Sequence, residues 1–184
     1  TGYGGDLVSD VVTVPFDDAE AVEKAIDHAG AERIAGIFVE AVIGAGGIRP
    51  VTPEYLSSVR ESMRKAGGLY ISDEVITGFG RVGDWFAANK FGLEPDLITF
   101  AKGVTCGYAP LGGVVAAPHI AAPFFDTPGL IFRHGYTYSG HSASCVAGLK
   151  VMDIIEREGL IDRAAALEDE IYNALAPLEE LDVV

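Results

Sequence analysis

Two apolar, β-branched runs carry the strongest pattern in the sequence. LYISDEVI (69–76) and DLITFAK (96–102) lack the polar alternation of a half-exposed strand, and each ends abruptly in charge, at Asp73–Glu74 and at Lys102. Such runs predict strands covered on both faces, the signature of a parallel sheet. RIAGIFVEAVI (33–43) reads as another buried strand, and VVTVPF (11–16) as a short one. Between them the period changes to that of a helix. DDAEAVEKAIDHAG (17–30) places Val22, Ile26 and Ala29 on one face; Asp17 is its predicted cap, Glu20 completes a capping box and Gly30 ends it. Thr52 and Pro53 open a second helix whose Leu56, Val59, Met63 and Ala66 share a face before Gly67–Gly68. Strands alternating with helices at this spacing predict an α/β fold with a mainly parallel sheet and flanking helices.

The second half is less regular. TGYGGDL (1–7) and GAGGIRP (44–50) read as glycine-rich loops, and GYAPLGG (107–113) as a turn leading into a strand, GGVVAAP (112–118). HIAAPFF (119–125) is expected to be a short helix and DTPGLIFRHGYTYSGH (126–141) an irregular loop. SASCVAGLKVMDIIEREG (142–159) predicts a long helix with Val146, Ala147, Val151, Ile154 and Ile155 on one side, and a final helix spans 161–181.

Composition narrows the function. The 184 residues, 49% of them hydrophobic, suffice for one compact core. A formal net charge of −14 argues against a nucleic-acid surface and against anionic membranes. The longest uncharged stretch, 103–125, carries Pro110, Pro118 and Pro123 and makes a poor membrane helix. No secretory leader is read, so a cytoplasmic protein is expected. Cys106 and Cys145 lack metal or redox spacing and are expected to be buried thiols rather than a disulfide; the four histidines suggest no metal site. Gly78–Gly83 is a literal G-x-G-x-x-G, but WFAANKFGLEPD after it is broken by Gly92 and Pro95, so loop geometry is expected there instead of a dinucleotide site.

The candidate chemistry lies where the two central strands end. Charges at the carboxyl ends of parallel strands face the crevice in which open α/β sheets bind ligands. A carboxylate and an amine on adjacent strands suit pyridoxal phosphate: the lysine forms the imine, and the carboxylate keeps the pyridine nitrogen protonated. Asp73 and Lys102 are the candidates. Ala101 and Gly103 around Lys102 predict a partly desolvated amine, ready as nucleophile and then as general base. Glu74, one residue on, points to the opposite face and is expected to be structural.

SDEVITGFGRVGDWF, PDLITFAKG, GYAPLGG and HGYTYSGH, in that order, strongly resemble the class III aminotransferases of fold type I, and most closely their amine–pyruvate (ω-transaminase) branch. The resemblance implies transfer of an amino group from an amine or ω-amino acid to a keto acid, in a homodimer with shared sites. An aminomutase or a racemase of the same family uses the same residues, and a truncated, non-catalytic subunit is the reading from another class. The resemblance also implies that this stretch is a piece of a longer chain. Residues 1–157 would belong to the cofactor-binding large domain and 158–184 to the start of the small one. The strand after Lys102 would run antiparallel. Segments that grip the phosphate and the substrate carboxylate would lie elsewhere, so this stretch alone is expected to be inactive.

Residue by residue, the resemblance gives Lys102 the imine, Asp73 the ring nitrogen and Val75 one face of the ring. Thr137, with Tyr136 beside it, would serve the phosphate of the neighbouring subunit's cofactor, and Glu40 is a further candidate carboxylate. Three departures matter. Ile76 stands where other branches have a glutamine that reaches the cofactor's phenolic oxygen, and Ala41 follows Glu40 where proline is usual. Ala45 replaces the glutamate of the ornithine and γ-aminobutyrate branches, which points to the amine–pyruvate type.

Overall fold

A computed structural model describes residues 10–181; the glycine-rich opening, 1–7, lies outside them. The first helix, α1 (Ala19–Ala29), is capped by Asp18, whose carboxylate accepts from the Ala21 N–H at 2.9 Å. Asp17, the expected cap, has a positive φ of 57° and turns its side chain to the second helix instead. There it accepts from the Thr52 N–H at 2.9 Å and the Thr52 hydroxyl at 3.0 Å. Thr52 in turn caps α2 (Pro53–Ala66) by accepting from the Tyr55 N–H. One relay of short polar side chains thus fixes both helix starts. Glu20 forms no capping box because it falls one residue too early, and it pairs with Lys24.

A four-stranded sheet follows the order β1 (Gly36–Val39), β4 (Leu69–Asp73), β5 (Leu97–Phe100), β6 (Gly113–Ala116). The β1–β4 and β4–β5 pairs are parallel and β5–β6 is antiparallel, so the expected return strand is there. The run 33–43 is not one strand. It breaks at Glu40–Ala41 and resumes as β2 (Val42–Ile43), which makes a small hairpin with β3 (Arg49–Pro50) inside the expected loop. Residues 11–16 form no strand. Coverage of the sheet is uneven: the middle of β4 is buried and β5 is half-buried, while Phe38 on β1 is 71% exposed.

The core sits on one side, where α1 and α2 pack on the sheet through Val22, Leu56, Val59, Met63 and Tyr70. At the amino end of β5, Asp96 is buried and ties four elements together. Its carboxylate accepts from the Tyr70 N–H at 2.7 Å and lies 3.0 Å from His119 Nε2 and 3.6 Å from Arg60 Nη1. His119 belongs to α4 (Pro118–Asp126), the expected short helix, which contains Pro123. Residues 127–141 are irregular, as expected, and α5 (Ser142–Arg157) and α6 (Leu160–Leu175) follow.

The buried line of α5 is Ser144, Gly148, Val151 and Ile155; of the expected face, Val151 and Ile155 are buried and Ala147 and Ile154 half-buried, whereas Val146 faces outward. Small residues win because α5 lies close to the turn after β5. A Cβ on Gly148 would stand 3.1 Å from Leu111 and 3.4 Å from Val104. Both cysteines are free thiols, but Cys106 is exposed rather than buried. No helix among the described residues is long and apolar enough to cross a membrane.

Leu56 is completely buried between α2 and the sheet. Leu56→Ala is expected to cost about 2–5 kcal/mol, from lost apolar burial plus the cavity left behind. Denaturant unfolding of the full-length protein measures it.

Candidate active site

β4 ends at Asp73 and β5 runs beside it in register: Asp73 lies next to Thr99, and the Glu74 N–H donates to the Thr99 carbonyl at 2.9 Å. In a parallel pair such neighbours share a face. Oδ1 of Asp73 accepts from the Val75 N–H at 3.0 Å, a local turn that holds the carboxylate at the strand end. Three residues beyond Thr99, Lys102 opens a single 3-10 turn (Lys102–Val104) with φ 41°. A non-glycine residue with positive φ is uncommon and tends to sit where the chain must aim a side chain. Sequence reasoning placed Asp73 and Lys102 on adjacent strand ends, and the sheet order brings them there. It also expected the lysine to be partly enclosed. In this stretch Lys102 is exposed, while Ala101 is half-buried and Gly103 buried.

Gly103 is buried for a definite reason. A Cβ there would sit 2.9 Å from Phe79 Cβ and 3.1 Å from the Gly78 carbonyl, closer than side chains tolerate. Phe79 also meets Phe100 and Phe86 edge-to-face, with centroids 5.8 and 5.4 Å apart. The loop after β4 therefore rests directly on the Lys102 turn. That loop contains the G-x-G-x-x-G, and its glycines serve geometry. Gly80 and Gly83 have φ of 96° and 76°, and the Phe79 and Gly80 N–H groups donate to Trp85 and Asp84 carbonyls. Only four helical residues, α3 (Ala87–Lys90), follow it.

Glu74 is fully buried, on the face away from Asp73. Its carboxylate accepts from the Ser72 hydroxyl at 3.0 Å, the Thr77 hydroxyl, and the Ala87 and Ala88 N–H groups at 2.9 and 2.8 Å. The Tyr70 phenol is pushed up in pKa, first by burial and then by the charge of Glu74; Arg60 acts in the opposite direction. The alternation of Ser72 and Glu74 on one face was legible in the sequence, whereas the two backbone donors from α3 were not.

The remaining candidates are more scattered. Val75 and Ile76 are half-buried beside Asp73; Ile76 fills the space next to Gly44, where its Cδ1 leaves no room for a Cβ. Glu40 commits Oε2 to the Gly44 N–H at 3.1 Å, which closes the turn after the break in the strand. Tyr136 and Thr137 lie on the exposed irregular segment, where the Tyr136 N–H bonds the Ser139 hydroxyl. His141 caps α5 by accepting from the Ser144 N–H.

One feature escaped sequence reasoning. The Thr99 hydroxyl oxygen is buried without a hydrogen-bond partner, in the row next to Asp73. Buried polar atoms without partners are rare and point to a missing group. Oδ2 of Asp73 and Nζ of Lys102 likewise make no hydrogen bond or ion pair among the described residues. Uncommitted carboxylate, hydroxyl and amine groups at neighbouring strand ends fit the ring-nitrogen and aldehyde ends of pyridoxal phosphate.

The sequence matches the class-III aminotransferase family over residues 8–184. The chain belongs to that family of pyridoxal-phosphate-dependent proteins. Over 166 residues it is 42% identical to a probable aminotransferase of Mycobacterium tuberculosis, covering 90% of this chain and 35% of that protein. It is 40% identical over 165 residues to the putrescine–pyruvate aminotransferase of Pseudomonas aeruginosa, with the same coverage. Among solved structures, a pyridoxal-phosphate-bound amine transaminase from an uncultivated Pseudomonas species superposes with a TM-score of 0.84 at 40% identity. That alignment covers 88% of this chain and 37% of the other. The chain thus spans about a third of the length of the curated relatives it matches.

The packing of Phe79 on Gly103 gives a direct test. Gly103→Ala forces the Lys102 turn or the Phe79 loop to move, since one clashing atom is a backbone carbonyl. In the full-length protein it is expected to weaken pyridoxal phosphate retention at least about tenfold, as a small misplacement of a reacting group costs. Equilibrium dialysis of the cofactor measures this.

Proposed function

We propose that the full-length protein carrying this chain is a pyridoxal-phosphate-dependent transaminase. In this reading it moves an amino group from an amine or ω-amino acid to a keto acid such as pyruvate. The observation that carries the proposal is the placement of Asp73 at the end of β4 and of Lys102 just past the end of the adjacent parallel strand β5, with Oδ2 and Nζ making no bond among the described residues. The pyruvate-using relative and the amine transaminase of similar structure support the choice of donor and acceptor.

A bound pyridoxal phosphate would supply an aldehyde that takes up the amino group and a ring that draws off electrons. The residues of this chain do the rest. Asp73 has Oδ1 held by Val75 and Oδ2 free to accept the ring N–H, which keeps that nitrogen protonated. Lys102 anchors the aldehyde carbon through Nζ. Once displaced by the incoming amine, the same Nζ would be the base that takes the proton from the amine-bearing carbon and the acid that delivers it to the former aldehyde carbon, on the other side of the nitrogen. Val75 packs on one ring face, and Glu40 supplies a further carboxylate near the strand end. Tyr136 and Thr137 serve the phosphate of the neighbouring subunit in a homodimer. Residues 1–157 belong to the large domain and 158–184 begin the small one; Gly159, with φ 60°, stands at the junction. A cytoplasmic location completes the reading and is supported by two free thiols.

Borohydride reduction of the full-length protein with its cofactor, followed by peptide mapping, is expected to label Lys102; label confined to another lysine contradicts the assignment. Asp73→Asn is expected to keep the fold and lower transamination about 100-fold or more, because the transition state loses an ionic partner. Single-turnover kinetics give that number.

The shared site has its own test. A Thr137→Ala subunit and a Lys102→Ala subunit, each impaired alone, are expected to regain activity when mixed, because both defects fall in one of the heterodimer's two sites. If mixed dimers form and no activity returns, each subunit uses its own threonine.

A further inference from the structure

We infer that Glu74 is a positioning residue that sets the placement of Asp73 and Lys102 relative to each other. The inference rests on the proposed cofactor site and adds a residue that lies outside it. Glu74 is completely buried, and among the described residues no lysine, arginine or histidine pairs with it. Four neutral donors saturate its carboxylate instead, matching the four lone-pair sites such a group offers.

Those donors come from three separate segments. Ser72 lies in β4, Thr77 in the turn after it, and Ala87 and Ala88 at the start of α3. The carboxylate therefore closes a loop of 14 residues at its base. Ser72 and Glu74 are clamped together on one face, so Asp73 between them is held to the opposite face, towards the crevice. This is the first route of control.

The second route runs through the loop that Glu74 closes. Its Phe79 occupies the space where a Gly103 side chain would be and meets Phe100 edge-to-face. Both contacts flank Lys102, whose side chain makes no hydrogen bond or ion pair among the described residues and which starts its turn at a positive φ. Release of Glu74 would free the loop, and with it the support beneath the lysine turn. One buried carboxylate thus governs the direction of Asp73 and the position of Lys102 together. A cap for a four-residue helix would need only the two α3 donors; the bonds to Ser72 and Thr77 are what reach β4 and the turn.

The test uses the full-length protein with pyridoxal phosphate bound. In Glu74→Gln one carboxylate oxygen becomes an NH2 group that faces one of the two α3 N–H donors and the hydroxyl that shared that oxygen, so part of the clamp is lost with little change of shape. Three quantities are measured: the pH midpoint of the cofactor's visible absorbance change, kcat and KM separately, and Tm. A positioning role predicts a midpoint shifted in the same direction as in Asp73→Asn. It predicts kcat lower by about 10–100-fold, the cost of a small misplacement, with KM nearly unchanged. It also predicts that the loss in Glu74→Gln combined with Asp73→Asn is smaller than the product of the two single losses, because the part of Glu74's effect that runs through Asp73 is already gone.

A lower Tm with wild-type midpoint and kcat would overturn the inference, as would fully additive losses in the double variant. Should Glu74→Gln fail to fold, Thr77→Val removes a single donor, and a smaller midpoint shift in the same direction is expected; an unchanged midpoint there overturns it equally. If Asp73→Asn itself left spectrum and rate untouched, the cofactor reading would fall and this inference with it. A sensitive Asp73 beside a silent Glu74 overturns the inference alone.

Discussion

Ile71 lies beside Leu97, Ser72 beside Ile98 and Asp73 beside Thr99, and every other feature of the candidate site follows from that ladder. A slip of one residue would turn Asp73 to the packed face and bring Glu74 or Ser72 to the crevice. The pairing is parallel, so both strands end on the same side and their terminal residues meet in one crevice. The antiparallel β6 then leaves from that same end, and its turn gives α5 a surface to pack on through Val104 and Leu111.

Two buried carboxylates bracket this pair of strands, at opposite ends and by different means. Asp96, at the entry of β5, faces Arg60 and is hydrogen-bonded by the His119 ring and the Tyr70 N–H. Glu74, past the exit of β4, is satisfied by hydroxyls and backbone N–H groups with no cation. Removing one partner from either cluster would leave a buried group unsatisfied, which costs far more than the bond itself was worth. The difference has a chemical consequence. A cation brought in to neutralise Glu74 would also act on Asp73 one residue away, whereas neutral donors leave Lys102 as the amine of that strand end. Tyr70 lies between the two clusters, its phenol kept un-ionised by burial and by the charge of Glu74.

The exposure of Lys102 and the bareness of Phe38 and Val114 describe the outer side of the same sheet. The core built by α1 and α2 covers the opposite side. Beside Lys102, Gly103 is buried under Phe79, where no larger side chain fits.

Much of this was determined by the sequence itself. The apolar runs that end in Asp73 and Lys102, the strand after them and the start of α2 at Thr52–Pro53 could be read directly, because each rests on local periodicity or turn chemistry; that the later strand runs antiparallel was implied only by the family resemblance. So could the dismissal of Gly78–Gly83 as a nucleotide loop, since the helix it needs is missing from the sequence. Tertiary structure alone decided the rest. Asp18 caps α1 because Asp17 is drawn to Thr52, 35 positions along the chain. The run 33–43 breaks at Glu40 because that carboxylate closes the Gly44 turn. α5 buries Ser144 and Gly148 rather than Val146 because its partner surface is too close for a larger side chain. The four bonds to Glu74 and the unpartnered Thr99 hydroxyl were hidden for the same reason: each depends on which distant segments come to lie together, and no local pattern records that.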